Sequence, residues 1–317
     1  MKKSVAIKFL AFMLCLTMLG ALAAALAEEE KPLVVGVPIY TMEHPYYIDL
    51  VKNIEIECAA QGVQLIKDDS NYDSVKQVSI IENMIIQGVD VLIVAAIDPE
   101  GIVPTLEMAI EKGVKIILEA NPVEDSSGKQ IGETFVGVDN YAAALMGGEA
   151  SGKAYAERFG DTPAKIAIIS YPLEQACIDR ENGFIDGFKK FVPDAEVVTS
   201  QNGEAVRDKS MSIMENILTA NPDINVVFGI NDDSALGALA AMEARGINEN
   251  AMVVGFDGTD DAKAAILAGG IYFGDVVQDS AIIGQECVRA AVAAGRGEKL
   301  PEITEIAASF ITIEDLK

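Results

Sequence analysis

The sequence of 317 residues carries 49 acidic residues, 24 basic residues and one histidine, which gives a formal net charge of −25 at pH 7. This length exceeds what one small hydrophobic core needs and suits two lobes of ordinary domain size. The strong acidity excludes nucleic acid as a partner, because an anionic surface is repelled by phosphate groups, and it favours a soluble chain.

The first 27 residues have the pattern of a secretory signal peptide. Lys2 and Lys3 precede an apolar run over 5–26, and small residues end that run. This pattern predicts cleavage after Ala27 and therefore a periplasmic or secreted protein. The alternative is a retained membrane anchor, since the apolar run is long enough to span a bilayer.

Three cysteines follow this segment, at Cys58, Cys177 and Cys287. An odd number cannot all form disulfides, and none of them has a Cys-x-x-Cys spacing. Cys58 and Cys287 lie in helical patterns among apolar residues, where a free cysteine behaves as a small hydrophobic side chain. We therefore expect structural thiols, with no metal site and no cofactor.

Apolar runs of strand length alternate with amphipathic helical stretches from residue 32 onward, which is the pattern of βαβ units and a parallel sheet. The predicted elements of the first half are strands over 33–39, 63–68, 89–95 and 114–119 and helices over 46–61, 74–87 and 102–112. Gly62, Gly88 and Gly113 each separate a predicted helix from the next strand, as helix-ending glycines do.

The second half repeats the scheme. Its predicted elements are strands over 165–170, 195–199, 226–229, 252–256, 274–277 and 307–313 and helices over 141–159, 178–191, 208–220, 260–268 and 279–294, with a further helix through Leu236 and Ala244. Val34 and Ile166 occupy equivalent places in the two halves, at nearly the offset that separates Asp98 from Asp232. The sequence therefore predicts an α/β fold of two similar lobes.

Polar side chains end two neighbouring strands of the second half. One strand leads into Asn231 and Asp232, and the next ends on Asp257. Open α/β sheets bind ligands at the carboxyl ends of their strands, and carboxylates accept strong hydrogen bonds from hydroxyl groups. We therefore predict Asn231 and Asp257 as ligand contacts. Asp232 and its first-half counterpart Asp98 are predicted to cap the helices that follow them.

The segments FGINDDSALGAL (228–239) and VVGFDGT (253–259) resemble those of the ribose- and galactose-type periplasmic binding proteins, the soluble receptors of ATP-binding-cassette (ABC) importers. The resemblance covers nearly all of the chain after the predicted signal peptide. It implies the type I fold, in which two lobes, each a parallel sheet flanked by helices, are joined by a three-strand hinge and close on a ligand.

The resemblance places the crossings between lobes near 138/139, 278/279 and 306/307. The N-terminal lobe then consists of 32–138 plus 279–306, and the C-terminal lobe of 139–278 plus 307–317. As a function it implies capture of a sugar, polyol or related hydroxylated molecule and delivery to the membrane permease of an ABC importer. It further implies a monomer and allows a chemoreceptor as a second partner.

The resemblance also implies roles for particular side chains. Pro45-Tyr46-Tyr47 is similar to the family's proline followed by two aromatic residues, which pack on the faces of a sugar ring. His44 precedes this motif and is expected to bond ligand hydroxyls, or alternatively to cap the helix. The ligand-binding residues predicted altogether are His44, Tyr46, Tyr47, Glu119, Asp139, Arg180, Asn231, Asp257 and Gln278.

Four positions depart from the ribose-type pattern. Ala120 and Ile178 stand where the family has arginine, Ala205 stands where it has an aromatic residue, and Glu119 stands where aspartate is frequent. Arginine only donates hydrogen bonds, so the altered pocket is richer in acceptors and suits a ligand with more donors. We predict poor binding of ribose and better binding of a six-membered polyol, cyclitol or amino sugar. The alternative is that water or other side chains preserve pentose binding.

Three other interpretations fit the residues less well. The segment 147–153 matches most of a phosphate-binding loop, but Ala154 replaces the required hydroxyl and no strand leads into it. A lactose-repressor-type transcription factor needs a basic DNA-binding segment ahead of residue 33, where the predicted signal peptide stands, so the related alternative is a lactose-repressor-like ligand sensor without a DNA-binding domain. A secreted glycosidase needs paired carboxylates, which are present, but the resemblance covers both lobes and implies no enzymatic activity.

Overall fold

The computed structural model of the protein describes residues 31–317, so the predicted signal peptide over 1–27 lies outside the described residues. Within that range, no helix is both long enough and apolar enough to cross a membrane. The strands, β1 to β12 in chain order, are Val34–Ile39, Gln64–Asp69, Val91–Ala95, Lys115–Glu119, Thr134–Gly137, Lys165–Ser170, Glu196–Asn202, Val226–Gly229, Met252–Asp257, Tyr272–Val277, Ile303–Glu305 and Ser309–Thr312. The helices, α1 to α9, are Pro45–Gln61, Ser74–Ile86, Val103–Glu111, Asn140–Phe159, Gln175–Lys189, Arg207–Ala220, Asp232–Ala244, Asp260–Ala268 and Ser280–Gly295.

The first sheet has the strand order β11-β5-β4-β3-β1-β2, and all neighbouring strands are parallel. Its central strands β1 and β3 are buried along their whole length, because helices cover both faces of the sheet. Helices α1 and α9 pack on one face, and α2 and α3 on the other. We call this sheet with its helices the first lobe.

The second sheet has the order β12-β10-β9-β8-β6-β7 and forms the second lobe with α4 and α5 on one face and α6, α7 and α8 on the other. The predicted two-lobed α/β fold is therefore confirmed. One strand departs from the expected parallel sheet of each lobe, because β12 runs antiparallel to β10. The chain reaches β12 directly from the carboxyl end of β11 without an intervening helix, so it enters the second sheet from the opposite end.

The predicted strands and helices are present, with bounds that differ by a few residues. The helix predicted over 178–191 begins at Gln175, and the strand predicted over 195–199 continues to Asn202. The strands β5 and β11, which have four and three residues, were not predicted from the sequence. Runs this short carry too few side chains to show a period.

The glycine-rich segment 147–153 lies inside α4, as predicted, and does not form a phosphate-binding loop. A β-carbon on Gly148 would lie 2.2 Å from the carbonyl oxygen of Phe184, and one on Gly187 would lie 2.2 Å from that of Leu145. The glycines therefore let α4 and α5 approach each other closely. Their presence is explained by helix packing.

The three cysteines that follow the signal segment are free and buried within helices. Cys58 lies in α1, Cys177 in α5 and Cys287 in α9. Burial raises the pKa of the Cys58 thiol to about 11 and that of Cys177 to about 12. Both thiols therefore stay protonated at neutral pH and behave as apolar packing groups.

Candidate functional site

A cavity of about 80 Å³ lies between the two lobes. One buried water molecule needs about 10–15 Å³ by the same kind of measure, so this space holds a small molecule. Strands of both sheets end here: Tyr40 follows β1, Tyr171 follows β6, and Asp257 ends β9. The position matches the expected ligand site at the carboxyl ends of parallel strands.

Tyrosines of the first lobe form an aromatic wall on this cavity. The rings of Tyr40 and Tyr47 stack with centroids 4.8 Å apart and an interplanar angle of 3°. Tyr72 meets Tyr40 edge-on at 5.6 Å, and Tyr46 meets Tyr47 edge-on at 5.1 Å. Rings held by each other keep one orientation, so they offer a ligand ring a rigid apolar surface at little entropic cost.

His44 links the start of α1 to the second lobe. Its Nδ1 accepts a hydrogen bond from the backbone N–H of Tyr46 at 3.2 Å, which makes it the N-cap of α1. Its Nε2 lies 2.8 Å from Nδ2 of Asn231 and 4.0 Å from a carboxylate oxygen of Asp233. The two roles that the sequence offered for His44, helix cap and cavity residue, are therefore compatible.

Asn231 is likewise both a cap and a lining residue. Its Oδ1 accepts from the backbone N–H of Ser234 at 2.9 Å, and its Nδ2 donates to the carbonyl oxygen of Ala205 at 3.1 Å. The prediction that Asp232 caps α7 is therefore wrong, because Asn231 occupies the N-cap and Asp232 is the first helical residue. Asp98 closes the turn before α3 by accepting from the N–H of Gly101 at 2.9 Å and does not cap the helix itself.

Asp257 lies at the centre of a hydrogen-bonded group in the second lobe. Its Oδ1 accepts from Nε2 of Gln278 at 2.7 Å and from Nη1 of Arg180 at 3.4 Å. Arg180 also donates to the carbonyl oxygen of Ile230 at 3.0 Å and to Oδ1 of Asn140 at 2.7 Å. Burial raises the pKa of Asp257, although Arg180 opposes this shift. With Oδ1 occupied, Oδ2 is the oxygen that a ligand would meet.

Glu119 lies behind the aromatic wall and does not line the cavity directly. Its Oε1 accepts a hydrogen bond from the hydroxyl of Tyr46 at 2.6 Å, while its buried Oε2 has no hydrogen-bond partner among residues 31–317. Burial raises the pKa of Glu119 to about 7, against the opposing effect of the Tyr46 hydrogen bond. The carboxyl group therefore fixes the ring of Tyr46 and changes its charge near neutral pH.

The structure brings together seven of the nine predicted ligand-binding residues on the cavity lining, which are His44, Tyr46, Tyr47, Arg180, Asn231, Asp257 and Gln278. It places Glu119 directly behind that lining. Asp139 lies apart from the cavity, exposed, where its Oδ1 accepts from the N–H of Ala142 as the N-cap of α4. Of the positions that depart from the ribose-type pattern, Ala120 and Ala205 line the cavity and Ile178 does not.

Sequence reasoning missed several lining residues, among them Tyr40, Asn121, Tyr171 and Glu174. Tyr40, Asn121 and Tyr171 follow the ends of strands, so the rule that found Asn231 and Asp257 would have found them too. Glu174 directly precedes α5 and does not follow the end of a strand, so this rule does not identify it. The hydroxyl of Tyr40 donates to Oε1 of Glu174, so the first lobe is hydrogen-bonded to the second across the cavity mouth.

Backbone strain is concentrated at the cavity. Of the seven non-glycine residues with positive φ in the described chain, five line it, namely Tyr72, Ala120, Glu204, Ala205 and Asp257. Such conformations cost about 1–3 kcal/mol each and persist where the surrounding structure enforces them, commonly at ligand sites. The distribution of strain therefore supports the cavity as the functional site by a criterion independent of its chemistry.

Comparison with known families gives a single consistent result. The family described as periplasmic binding protein domain matches residues 35–299. The ribose import binding protein of Bacillus subtilis is 33% identical over 237 residues, which is 75% of this chain and 73% of that protein. The ribose import binding protein of Escherichia coli is 28% identical over 280 residues, which is 88% of each chain.

Solved structures agree in fold. A solute-binding protein of an ABC transporter from Mycobacterium smegmatis, with bound glycerol, has a TM-score of 0.81 at 29% identity and covers 90% of this chain and 96% of its own. One from Bacillus halodurans, with bound myo-inositol, has a TM-score of 0.80 at 27% identity and covers 92% of this chain and 98% of its own.

Proposed function

The chain belongs to the periplasmic binding protein family, of the ribose- and galactose-binding type, and from this premise we propose how it works. It captures a sugar, polyol or related hydroxylated molecule between its lobes and delivers it to an ABC importer. The observation that carries the proposal is the cavity between the lobes, whose walls combine stacked tyrosines from one lobe with Asp257, Arg180 and Asn231 from the other. Aromatic faces hold a ring, and carboxylate and amide groups bond its hydroxyls.

The lobes close about three connections. The chain leaves the first sheet after β5, returns to it after β10, and passes from β11 to β12. We propose the lobe boundaries as 32–138 plus 279–306 and 139–278 plus 307–317. Gln278 then lies at a hinge connection with its amide on Asp257, so ligand contact and hinge position are joined in one residue.

The ligand class follows from the charges on the cavity. Asp257, Glu174 and the nearby Glu119 are carboxyl groups, whereas Arg180 is the arginine on the lining. Ala120 and Ala205 add no hydrogen-bonding side chain. An acceptor-rich site of this kind favours a ligand with many donors. We propose that a six-membered polyol, cyclitol or amino sugar binds better than ribose.

A thermal-shift screen followed by calorimetry tests this order, using ribose, allose, glucose, myo-inositol and glucosamine. A ligand at a hundred times its dissociation constant stabilises the folded state by about 2.7 kcal/mol. We expect a clear shift with myo-inositol or glucosamine and little or none with ribose. Tight binding of ribose alone would overturn the proposed specificity, and no shift with any sugar or polyol would overturn the ligand class.

The remaining proposals concern the cellular setting. The protein acts outside the cytoplasm after cleavage behind Ala27, as a monomer, and its main partner is the permease of the importer. It performs no chemistry on its ligand. Mass spectrometry of the exported protein should find a chain beginning at Glu28, and a retained leader would contradict this. Overnight incubation with the same sugars should return them unchanged, and any product would contradict a purely binding role.

A further inference from the structure

A buried group of acids lies beside the turn that follows Asp257 in the second lobe. Asp232, at the start of α7, and Asp275, on β10, are 1% and 0% exposed. The hydroxyl of Tyr272 donates to Oδ2 of Asp275 at 2.9 Å and lies 3.4 Å from Oδ1 of Asp232. The nearby arginines pair with other acids, Arg180 with Asp257 and Arg207 with Asp233. Among residues 31–317 neither Asp232 nor Asp275 has an ion-pair partner, and two neighbouring buried carboxylates repel strongly, so the pair has to hold a proton.

Gly255 gives independent evidence for this arrangement. A β-carbon at Gly255 would lie 2.1 Å from the hydroxyl of Tyr272, 2.6 Å from Oδ2 of Asp275 and 2.7 Å from Oδ1 of Asp232. The three oxygens therefore converge over one point of β9, which has to lack a side chain. We call the two carboxyl oxygens at this point the inner oxygens of the pair, and burial together with the charge of Asp232 raises the pKa of Asp275 well above its ordinary value.

The outer oxygens of the same two acids hold the backbone after Asp257. Oδ1 of Asp275 accepts from the N–H of Gly258 at 3.2 Å, and Oδ2 of Asp232 accepts from the N–H of Thr259 at 2.7 Å. Asp257 itself has φ of 128°, a conformation that a residue with a side chain adopts only when its neighbours enforce it. The two bonds restrain the turn immediately after this strained residue.

We infer that Asp232 and Asp275 form a proton-sharing carboxyl pair that positions Asp257 for ligand binding by fixing the N–H groups of Gly258 and Thr259. Neither acid lines the cavity, so each acts through Asp257 and is a positioning residue. The inference rests on the proposed function only where ligand affinity is the readout. Restraint of the turn can be measured without any ligand.

The ligand-free test is hydrogen exchange of the peptide amides over 255–260 in three variants. Asp275→Ala removes the acceptor for Gly258 and should speed exchange there at least tenfold. Asp275→Asn keeps an acceptor oxygen and supplies a permanent donor to Asp232, so its exchange should stay close to that of the wild type. Leu218→Ala, a core change in the same lobe away from the turn, controls for lost stability alone. Equal exchange in all three variants would overturn the inference.

The second readout is calorimetric affinity for myo-inositol and glucosamine, measured well below each variant's melting temperature. We expect a loss of at least tenfold in Asp275→Ala and recovery to within threefold of wild type in Asp275→Asn. Leu218→Ala should bind as the wild type does. Faster exchange in Asp275→Ala with unchanged affinity would show that the pair holds the turn without positioning Asp257, which overturns the inference. Absence of binding in the wild type would count against the proposed function, and the exchange result would still decide whether the pair restrains the turn.

Amide exchange measured over a range of pH tests whether the pair restrains the turn through a shared proton or through packing alone. Raising the pH far enough to remove the proton leaves two facing carboxylates, so wild-type exchange over 255–260 should accelerate at alkaline pH beyond the intrinsic chemical rate. In Asp275→Asn the extra acceleration should vanish, because the amide cannot ionise. The groups that face the pair are Tyr272 on β10 and Asp257 on β9, and neither changes in this variant. The same acceleration in both proteins would overturn the shared proton.

Discussion

Asp257 combines structural and chemical features that are typical of a ligand-binding residue. It has a strained backbone, accepts hydrogen bonds from Gln278 and Arg180 through Oδ1, and lines the cavity. The position therefore gives the most direct mutational test of the site.

We predict that Asp257→Ala abolishes measurable binding while the protein remains folded. Removing one partner of a buried, charge-assisted hydrogen-bond set costs about 2–5 kcal/mol, or roughly thirty- to several-thousand-fold in affinity. Calorimetry measures the loss, and circular dichroism verifies the fold. Asp223→Ala is the matched control, because Asp223 is exposed and pairs with Lys165 away from the cavity. Unchanged affinity in folded Asp257→Ala would place the site elsewhere.

The ligand-site position of a single residue was predictable from the sequence where a polar side chain follows the end of a predicted strand. Asn231 and Asp257 follow strand ends, and both line the cavity. That Asn231 and not Asp232 caps α7 was not predictable, because either side chain makes a good N-cap. Asp232 instead accepts from the N–H of Thr259 and contacts Asp275, and both partners are distant from it in sequence.

At the scale of elements, the contact between α4 and α5 depends on missing side chains. Gly187 faces the carbonyl oxygen of Leu145 so closely that a β-carbon would lie 2.2 Å from it. The obstacle is backbone, which cannot rotate away as a flexible side chain can. The helices would have to separate, which would loosen the packing of Phe184 and Phe188 on the second sheet.

We therefore predict that Gly187→Ala lowers the free energy of unfolding by about 1–3 kcal/mol, the usual cost of overpacking, even though alanine favours helix more than glycine does. Denaturant titration measures the change. Lys189→Ala, an exposed change two residues later on the same helix, should stay within about 0.5 kcal/mol of wild type. If Gly187→Ala matched or exceeded the stability of wild type, close helix packing would not explain these glycines.

Strands and helices with a long, regular pattern of apolar residues were predictable from the sequence. Short strands whose position depends on the chain crossing between the lobes were not. The strands β1 and β3 show up as continuous apolar runs because both faces are covered. The three residues of β11 and the antiparallel run of β12 are determined by where the chain crosses between sheets. No local pattern in Ile303–Glu305 encodes that crossing.

For the whole molecule, the two lobes meet through polar contacts, so closure and binding are linked. The hydroxyl of Tyr40 donates to Glu174 across the cavity, and His44 contacts Asn231. These contacts can form only when the lobes are together. A change that weakens them without touching either core should therefore act on the closed state.

We predict that Tyr40→Phe weakens binding roughly tenfold or more while leaving stability nearly unchanged. The variant keeps the ring that stacks on Tyr47 but leaves the carboxyl of Glu174 without its hydroxyl donor, a loss of about 1.5–3 kcal/mol for a charged partner. Calorimetry gives the affinity, and small-angle scattering the degree of closure. Tyr155→Phe, which removes a hydroxyl within the second lobe, is the control and should bind normally. Equal affinities in the two variants would show that the contact between Tyr40 and Glu174 does not stabilise the closed state.

The stability of the whole protein should fall as the pH rises from mildly acidic to mildly alkaline. Burial raises the pKa of Glu119 from 4.5 to about 7, and it also raises those of Asp257 and of the neighbouring acids Asp232 and Asp275. The folded state therefore binds these protons more tightly than the unfolded chain. Stability from such groups is complete below their ordinary pKa and is lost as pH rises through the folded value.

Glu119→Gln isolates one of these contributions. Each pH unit between the two pKa values removes about 1.4 kcal/mol per raised group, so Glu119 accounts for a loss of about 2–3 kcal/mol between pH 5 and pH 8. Glutamine keeps an oxygen for the hydroxyl of Tyr46 and cannot ionise. Denaturant titrations without ligand at pH 5, 6, 7 and 8 should therefore show a shallower decline in Glu119→Gln than in wild type. Glu107→Gln, an exposed change in the same lobe, should follow the wild-type slope. Parallel slopes in wild type and Glu119→Gln would show that the buried carboxyl is ionised throughout this range, compensated by water that enters beside its free oxygen.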